Sequence, residues 1–338
     1  MTPPTAKAIR ELAGLDPCAL PDELLRGGEP VVLRGLVADW PLVRAGRAAP
    51  EQAIDYLRRF ARDAPVAAML APPAIGGRLF YNDDMSGFNF RVERPPLGAA
   101  LDALQRQLHE REPETLYLGS TTVETFFPGL DVDNRVALEG RDPLYSIWIG
   151  NRTRIPAHQD VPDNLACVAV GRRRFTLFPP DQLTNLYIGP LDFTPAGQAV
   201  SLVDFAAPDF ARFPRFAEAL EHALVAELEP GDALFIPSLW WHHIEALDPF
   251  NVLLNYWWRQ SPRYMDTPMN ALMLAILAVR ELPPRERAAW QEIFHHYVFE
   301  PDAATANHIP EHARGVLAPL DADAARQLRA RLLQRINR

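Results

Sequence analysis

The sequence predicts a mainly β fold with flanking helices: a double-sheet jelly roll followed by a helical region. Between about residues 115 and 258, short β-like runs recur, separated by Gly, Pro and Asp. After Pro262 the texture changes to apolar residues at helical spacing with Arg and Glu between them. The composition is that of an ordinary folded chain, since 48% hydrophobic and 23% charged residues lie near the averages for globular proteins. A length of 338 residues allows about two units.

Taken in order, residues 1–27 predict short helices and residues 30–36 a strand, with helices over 38–46 and 51–62. Strand-like runs at 66–71 and 78–82 precede a helix over 97–110 and a strand at 115–118. The β-rich centre has strand candidates at 144–149, 164–170, 172–178, 199–203, 233–237, 242–246 and 252–258. Helical patterns follow at 267–281, 284–298 and 322–336. The expected division is an N-terminal α/β flank (1–112), a β core (113–262) and a helical C-terminal region (263–338). The segment 269–279 is apolar around most of its circumference, which suits a core helix or an oligomer interface.

The charge balance excludes some partners. A net charge of −9 provides no general field for nucleic acid or anionic lipid, so neither is expected as a partner. Lys7 is the sole lysine, so an anion-binding side chain elsewhere must be Arg or a neutral donor. Cys18 and Cys167 are isolated, which suits a reducing compartment. The first residues lack the apolar core of a signal peptide, and the longest apolar run, 271–279, is far short of a membrane span. A cytoplasmic, soluble protein is expected.

Among nine histidines, His158-Gln159-Asp160 is the sharp metal candidate, because residues i and i+2 of a strand share a face. Such a triplet arises by chance, and His243-Ile244-Glu245 is another. A second stretch adds weight: a Gly231-Asp232 turn opens an apolar strand ending at Pro237, with His242 five residues later. Here the chain resembles the cupins, whose second motif places Gly, Pro and His at these intervals. The first motif fits in part, with Asn164 and Gly171 at cupin intervals after His158 and Asp160. Asn164 stands where many cupins have a glutamate ligand, and Leu239 replaces the second motif's later glycine. These departures point to the branch with three ligands. Strand alternation lets one of the two neighbouring histidines face inward, and His242 shares its face with apolar Ile244, whereas His243 shares its face with Glu245. Two histidines and one carboxylate on one face of an octahedron match the triad of non-haem Fe(II) oxygenases, leaving room for 2-oxoglutarate and dioxygen.

Residues 115–258 resemble more closely the JmjC-type Fe(II)/2-oxoglutarate oxygenases, particularly their asparaginyl hydroxylase members. The likeness is carried by Pro156-Ala157-His158-Gln159-Asp160, Phe178-Pro179-Pro180-Asp181-Gln182, Pro208-Asp209-Phe210-Ala211-Arg212-Phe213-Pro214, Trp240-Trp241-His242-His243-Ile244-Glu245 and Asn255-Tyr256-Trp257. The resemblance implies Fe(II) held by His158, Asp160 and His242. It also implies a co-substrate pocket in which Tyr117 and Arg173 meet the 2-oxoglutarate carboxylate and Asn164, Asn255 and Trp257 line the walls. Ile155 departs from the family, standing near the place of a threonine donor. By rough alignment Phe80 and Tyr81 fall near the substrate, in a loop that suits either a lid or a hairpin packed on the barrel.

Arg173 can also be placed from the residues alone. Arg172, Arg174 and Thr176 form the polar phase of their strand, which leaves Arg173 in the apolar phase with Phe175 and Leu177. An inward charge needs a partner, and a guanidinium grips a carboxylate in two places. The expected activity is hydroxylation of a C–H bond of a protein, peptide or small molecule, by a homodimer formed through the C-terminal helices as in the family. The alternatives are a metal-dependent cupin lyase or isomerase that needs no 2-oxoglutarate, and a scaffold that does no chemistry.

Overall fold

The computed structural model describes residues 6–302 and 304–337. Fourteen strands are β1 (Lys7–Ala8), β2 (Arg10–Ala13), β3 (Val31–Arg34), β4 (Ala68–Ala71), β5 (Arg91–Glu93), β6 (Thr115–Thr122), β7 (Leu144–Gly150), β8 (Arg154–His158), β9 (Asp163–Val170), β10 (Arg173–Phe178), β11 (Leu224–Leu228), β12 (Ala233–Ile236), β13 (Trp241–Ala246) and β14 (Asn251–Trp258). They form a nine-stranded sheet in the order β2-β3-β12-β9-β14-β7-β6-β4-β5 and a five-stranded sheet in the order β1-β11-β10-β13-β8. Among the strands of the described residues, the β1–β11 and β2–β3 pairs are parallel and the others antiparallel.

Period-two alternation decides what each sheet buries. In β9, Ala166 and Val168 point between the sheets, where they meet Phe175 and Leu177 of β10 and Ala226 and Leu228 of β11. Leu165, Cys167 and Ala169 point the other way, into a second core. That core is closed by the helices Pro41–Ala48, Pro50–Arg58 and Leu97–Gln107, through Leu42, Val43, Ile54, Leu57, Leu101 and Leu104. The first two helices begin on proline, whose fixed φ suits a first turn and whose missing N–H is no loss there. The large sheet is thus apolar on both faces, and β9 is buried at every position.

Two glycines are set by geometry. Gly231 has φ +107 and lies where a Cβ would stand 3.0 Å from the Cα of Ala38. Gly171 has φ +69, and a Cβ there would stand 2.5 Å from the Phe250 carbonyl oxygen. The tight turn at Gly231 is anchored by Asp232, which accepts hydrogen bonds from Arg34 at 2.6 Å and from the Gly35 N–H at 2.8 Å.

Several sequence expectations need correction. Residues 1–5 lie outside the described residues, and residues 6–27 are not a run of short helices: β1 and β2 extend the edges of the two sheets, and the helix described there is Asp22–Leu25. Pairing with β3 and β11 overrides the local helical preference. Residues 78–82 and 199–203 make isolated bridges rather than strands. Conversely, β8 and β11 are strands absent from the expected set.

The chain divides into two compact units, Met1–Gln260 and Ser261–Arg338. In the second, the helices Pro268–Ala278 and Pro284–Phe294 are followed by a π-helical turn at His295–Phe299 and the helix Ala322–Ile336. Asp321 caps the last of these, accepting from the N–H groups of Asp323 and Ala324. Arg329 donates to the Tyr264 carbonyl at 2.8 Å. No helix of the described residues is long and apolar enough to cross a membrane.

Candidate metal centre

Strand β8 delivers His158 and strand β13 delivers His242, and the two residues oppose each other in the antiparallel register. The strand ends at His158, so Asp160 lies in the following turn rather than on the strand. The expected i, i+2 relation on one strand face is therefore replaced by a turn held from outside. The Leu239 N–H donates to the Asp160 carbonyl at 2.9 Å, and the Ser238 hydroxyl donates to the Val161 carbonyl at 2.6 Å. The loop that precedes one histidine thereby fixes the carboxylate that follows the other.

One ligand atom from each of His158, Asp160 and His242 lies within 4.8 Å of the others, the only such group among the described residues. The Nδ1 atoms of His158 and His242 lie 2.9 Å from the carbonyl oxygens of Pro156 and Trp240. A proton on each Nδ1 satisfies those carbonyls and leaves both Nε2 lone pairs free, the arrangement that orients a metal-binding imidazole. Burial, with repulsion from His242, lowers the His158 pKa to about 4, so the ring is neutral at ordinary pH. Burial works against the Asp160 charge, but the two histidines outweigh it and hold the carboxyl below its usual range. Two neutral nitrogens and one carboxylate fit a divalent transition-metal ion. His243 points the other way, its ring 4.6 Å from that of Phe205.

The triad opens into a cavity of about 320 Å³, and the same cavity is lined by Tyr117, Asn164, Arg173, Asn255 and Trp257. Arg173 is 2% exposed, its Nε has no hydrogen-bond partner, and no carboxylate pairs with it among the described residues. Burial brings its pKa down to about 10, which still leaves it charged at neutral pH. Tyr117 is pushed up to about 12 by burial and keeps its hydroxyl proton. Trp148 Nε1 donates to Asn255 Oδ1 at 2.7 Å, and Asn255 Nδ2 donates to Asn164 Oδ1 at 3.2 Å. This chain fixes the amide orientations on that wall. The remaining surface is largely apolar, with Met69, Leu79, Ile155, Val200, Ile244 and Leu253.

Phe80 and Tyr81 do not line this cavity. They line a neighbouring groove, and Tyr81 donates its hydroxyl to the Phe193 carbonyl at 2.6 Å while its ring packs near Phe88 and Phe193. The loop is a hairpin closed by the Tyr81–Phe88 bridge.

With the fold and the centre in place, a cupin-like domain is matched over residues 17–264. The chain belongs to the cupin-like family. Its relatives include the human HSPB1-associated protein 1, 32% identical over 148 residues, or 42% of this chain and 30% of that protein. A JmjC domain-containing protein C of Dictyostelium discoideum is 31% identical over 42% of this chain and 35% of its own length. The lysine-specific demethylase JMJ31 of Arabidopsis thaliana is 26% identical over 70% of this chain and 48% of its own. In each case the chain spans less than half of the relative. The cupin-like domain takes in the N-terminal strands β3 to β5 and the helices that cover the large sheet, as well as the metal centre.

Some lining residues of the cupin-like domain escaped the sequence reading. Pairing of β6 with β7 shifts register between Leu118 and Thr121, and the bulge turns Gly119 and Ser120 toward the cavity, Ser120 with φ 46. A Gly-Ser pair inside an apolar strand is the signal that could have found it. Trp148 could have been found by its alternation with Ile147 and Ile149. Gln198 follows a glycine in a loop and carries no such signal.

Proposed function

We propose that the protein is a non-haem Fe(II)- and 2-oxoglutarate-dependent oxygenase that hydroxylates a C–H bond, with a protein or peptide side chain as substrate. The observation that carries this is the unpaired, buried Arg173 in the same cavity as His158, Asp160 and His242. A buried cation without a counter-charge is costly, and a dicarboxylate ligand supplies the missing charge. Relatives named as a JmjC domain protein and a lysine demethylase support the same activity.

In this proposal His158, Asp160 and His242 hold the iron, and their face of the metal leaves positions for co-substrate and dioxygen. Bound there, iron with 2-oxoglutarate and dioxygen supplies the oxidation: one oxygen atom enters the substrate C–H bond as hydroxyl, and the other enters succinate as carbon dioxide leaves. The protein's own groups position the partners. Arg173 grips the distal carboxylate with two donors, and the Tyr117 hydroxyl donates to the same group. Asn255, held by Trp148, and Asn164 and Trp257 shape the wall beside it. The apolar residues around them keep water from the reacting centre.

The two cysteines are free, which supports a cytoplasmic setting, and exposed apolar residues on the helix Pro268–Ala278 support a homodimer. The test is anaerobic titration of 2-oxoglutarate into Fe(II)-loaded protein, following the visible metal-to-ligand charge-transfer band. A band in the wild type that is absent from His242→Ala is the expected result. Iron binding without a band would instead favour a cupin lyase or isomerase.

A further inference from the structure

One wall of the metal-centre cavity has a second face. Leu79, Ile155 and Val200 line the cavity, whereas Arg78, Arg154 and Leu202, one or two residues away, line a separate groove of about 520 Å³. Arg78 and Arg154 are joined there by a parallel bridge between their backbones. The groove also receives Arg212, Asp83 and Asp204. Three arginines face two aspartates, so the groove is positive in a chain whose net charge is −9.

The two aspartates do not satisfy this charge. Asp204 is shared: Arg154 reaches its Oδ1 at 3.0 Å, and Arg78 lies 3.9 Å from its Oδ2. The side chain of Arg78 is only 19% exposed; it donates to the Leu202 carbonyl at 3.2 Å, and its guanidinium stacks 3.7 Å from the Phe80 ring centroid. Burial lowers the pKa of Arg78, with Asp204 working against that and Arg154 adding to it. The Arg212 backbone N–H donates to Asp209 Oδ1 at 3.0 Å, but its guanidinium has no carboxylate partner among the described residues and lies 5.0 Å from the Phe213 ring centroid. Guanidinium groups stacked on aromatic rings and short of one carboxylate form a receptor for an incoming carboxylate.

We propose that this groove binds the acidic side chain, Asp or Glu, of an extended peptide, and so selects acidic sequence beside the residue to be oxidised. The second half of that statement rests on the oxygenase activity proposed above; binding in the groove does not.

The experiment uses the metal-free 338-residue chain at low salt and a fluorescently labelled hexaglutamate peptide, read by anisotropy. Hexaglutamate is expected to bind and hexalysine not to. Arg212→Glu, an exposed position, is expected to weaken hexaglutamate at least fivefold. Arg111→Glu, an exposed arginine outside the groove, makes the same charge change and is expected to leave binding within twofold. No binding of hexaglutamate, equal binding of hexalysine, or equal losses in both variants would overturn the groove. Because the readout needs neither iron nor 2-oxoglutarate, its failure leaves the charge-transfer test standing, and the absence of that band leaves the groove result standing.

Discussion

His158 and His242 stand directly opposite each other on β8 and β13, their ring centroids 4.3 Å apart and each Nδ1 held by a backbone carbonyl two residues earlier in sequence. The adjacent His243 is 6% exposed and turned to the other side of its strand, against Phe205. His242→Ala is therefore expected to lose stoichiometric Fe(II) after anaerobic loading and gel filtration, while His243→Asn keeps it. Iron retained by the first variant and lost by the second would reverse the assignment.

Arg173 sets binding against stability. Its charge is buried with no carboxylate partner among the described residues, so Arg173→Met is expected to raise unfolding stability in urea by about 1–3 kcal/mol. The same change is expected to weaken 2-oxoglutarate by about 1.5–3 kcal/mol in calorimetry, the worth of a hydrogen-bonded charge. A variant that binds as tightly as the wild type would remove Arg173 from the site.

The pH dependence follows from the same residue. Burial lowers the Arg173 pKa from 12.5 to about 10, and a bound carboxylate favours the charged form and raises it again. Affinity for 2-oxoglutarate is therefore expected to be flat from about pH 7 to 9 and to fall as pH rises through about 10, by up to tenfold per unit. Arg173→Lys starts from a lower ordinary pKa, so its fall is expected at lower pH. A wild-type affinity that already falls between pH 7 and 9 would exclude the charged guanidinium as the titrating partner.

How much of this was legible in the sequence depended on periodicity. Arg173 in phase with Phe175 and Leu177, and His242 in phase with Ile244, could be assigned inward because a strand alternates strictly. Asp160 is legible in its spacing from His158, but the turn that places it is held by the Leu239 N–H and the Ser238 hydroxyl, contacts that no local pattern encodes. The edge strands β1 and β2 depart from the expected helices for a related reason. Residues with ordinary helical propensity become strands when a partner edge is in reach, and that partner lies outside the local window, at Val31–Arg34 for β2 and at Leu224–Leu228 for β1. The cavity residues missed, Ser120 and Gln198, sit at a bulge and in a loop, where regular periodicity gives out.

Leu239 has φ +66, a left-handed conformation that L side chains rarely adopt, and its N–H holds the Asp160 carbonyl at 2.9 Å. It stands where the resembling family carries glycine. Leu239→Gly is expected to fold and to keep Fe(II). Leu239→Ile places a β-branched residue in the same conformation and is expected to cost about 1–2 kcal/mol of stability in urea, with weaker iron binding through the displaced turn. Equal stability of the two variants would mean that the local backbone relaxes and does not govern Asp160.

The helix Pro268–Ala278 contains no charged residue and no buried one: Leu272 is 45%, Met273 40% and Leu277 76% exposed. Three large apolar side chains on so short a helix, with more on the next at Trp290 and Ile293, form the kind of surface that a second copy covers. Sedimentation velocity at micromolar concentration is expected to give a dimer. Leu277→Glu would bury a carboxylate without a partner in that interface, so it is expected to shift the protein to monomer. The substitution lies at an exposed position in the unit Ser261–Arg338, whereas His158, Asp160 and His242 belong to the unit Met1–Gln260, so the monomeric variant is expected to load Fe(II) as the wild type does. A wild type that sediments as a monomer at this concentration would refute the dimer, and a Leu277→Glu dimer would move the interface off this helix.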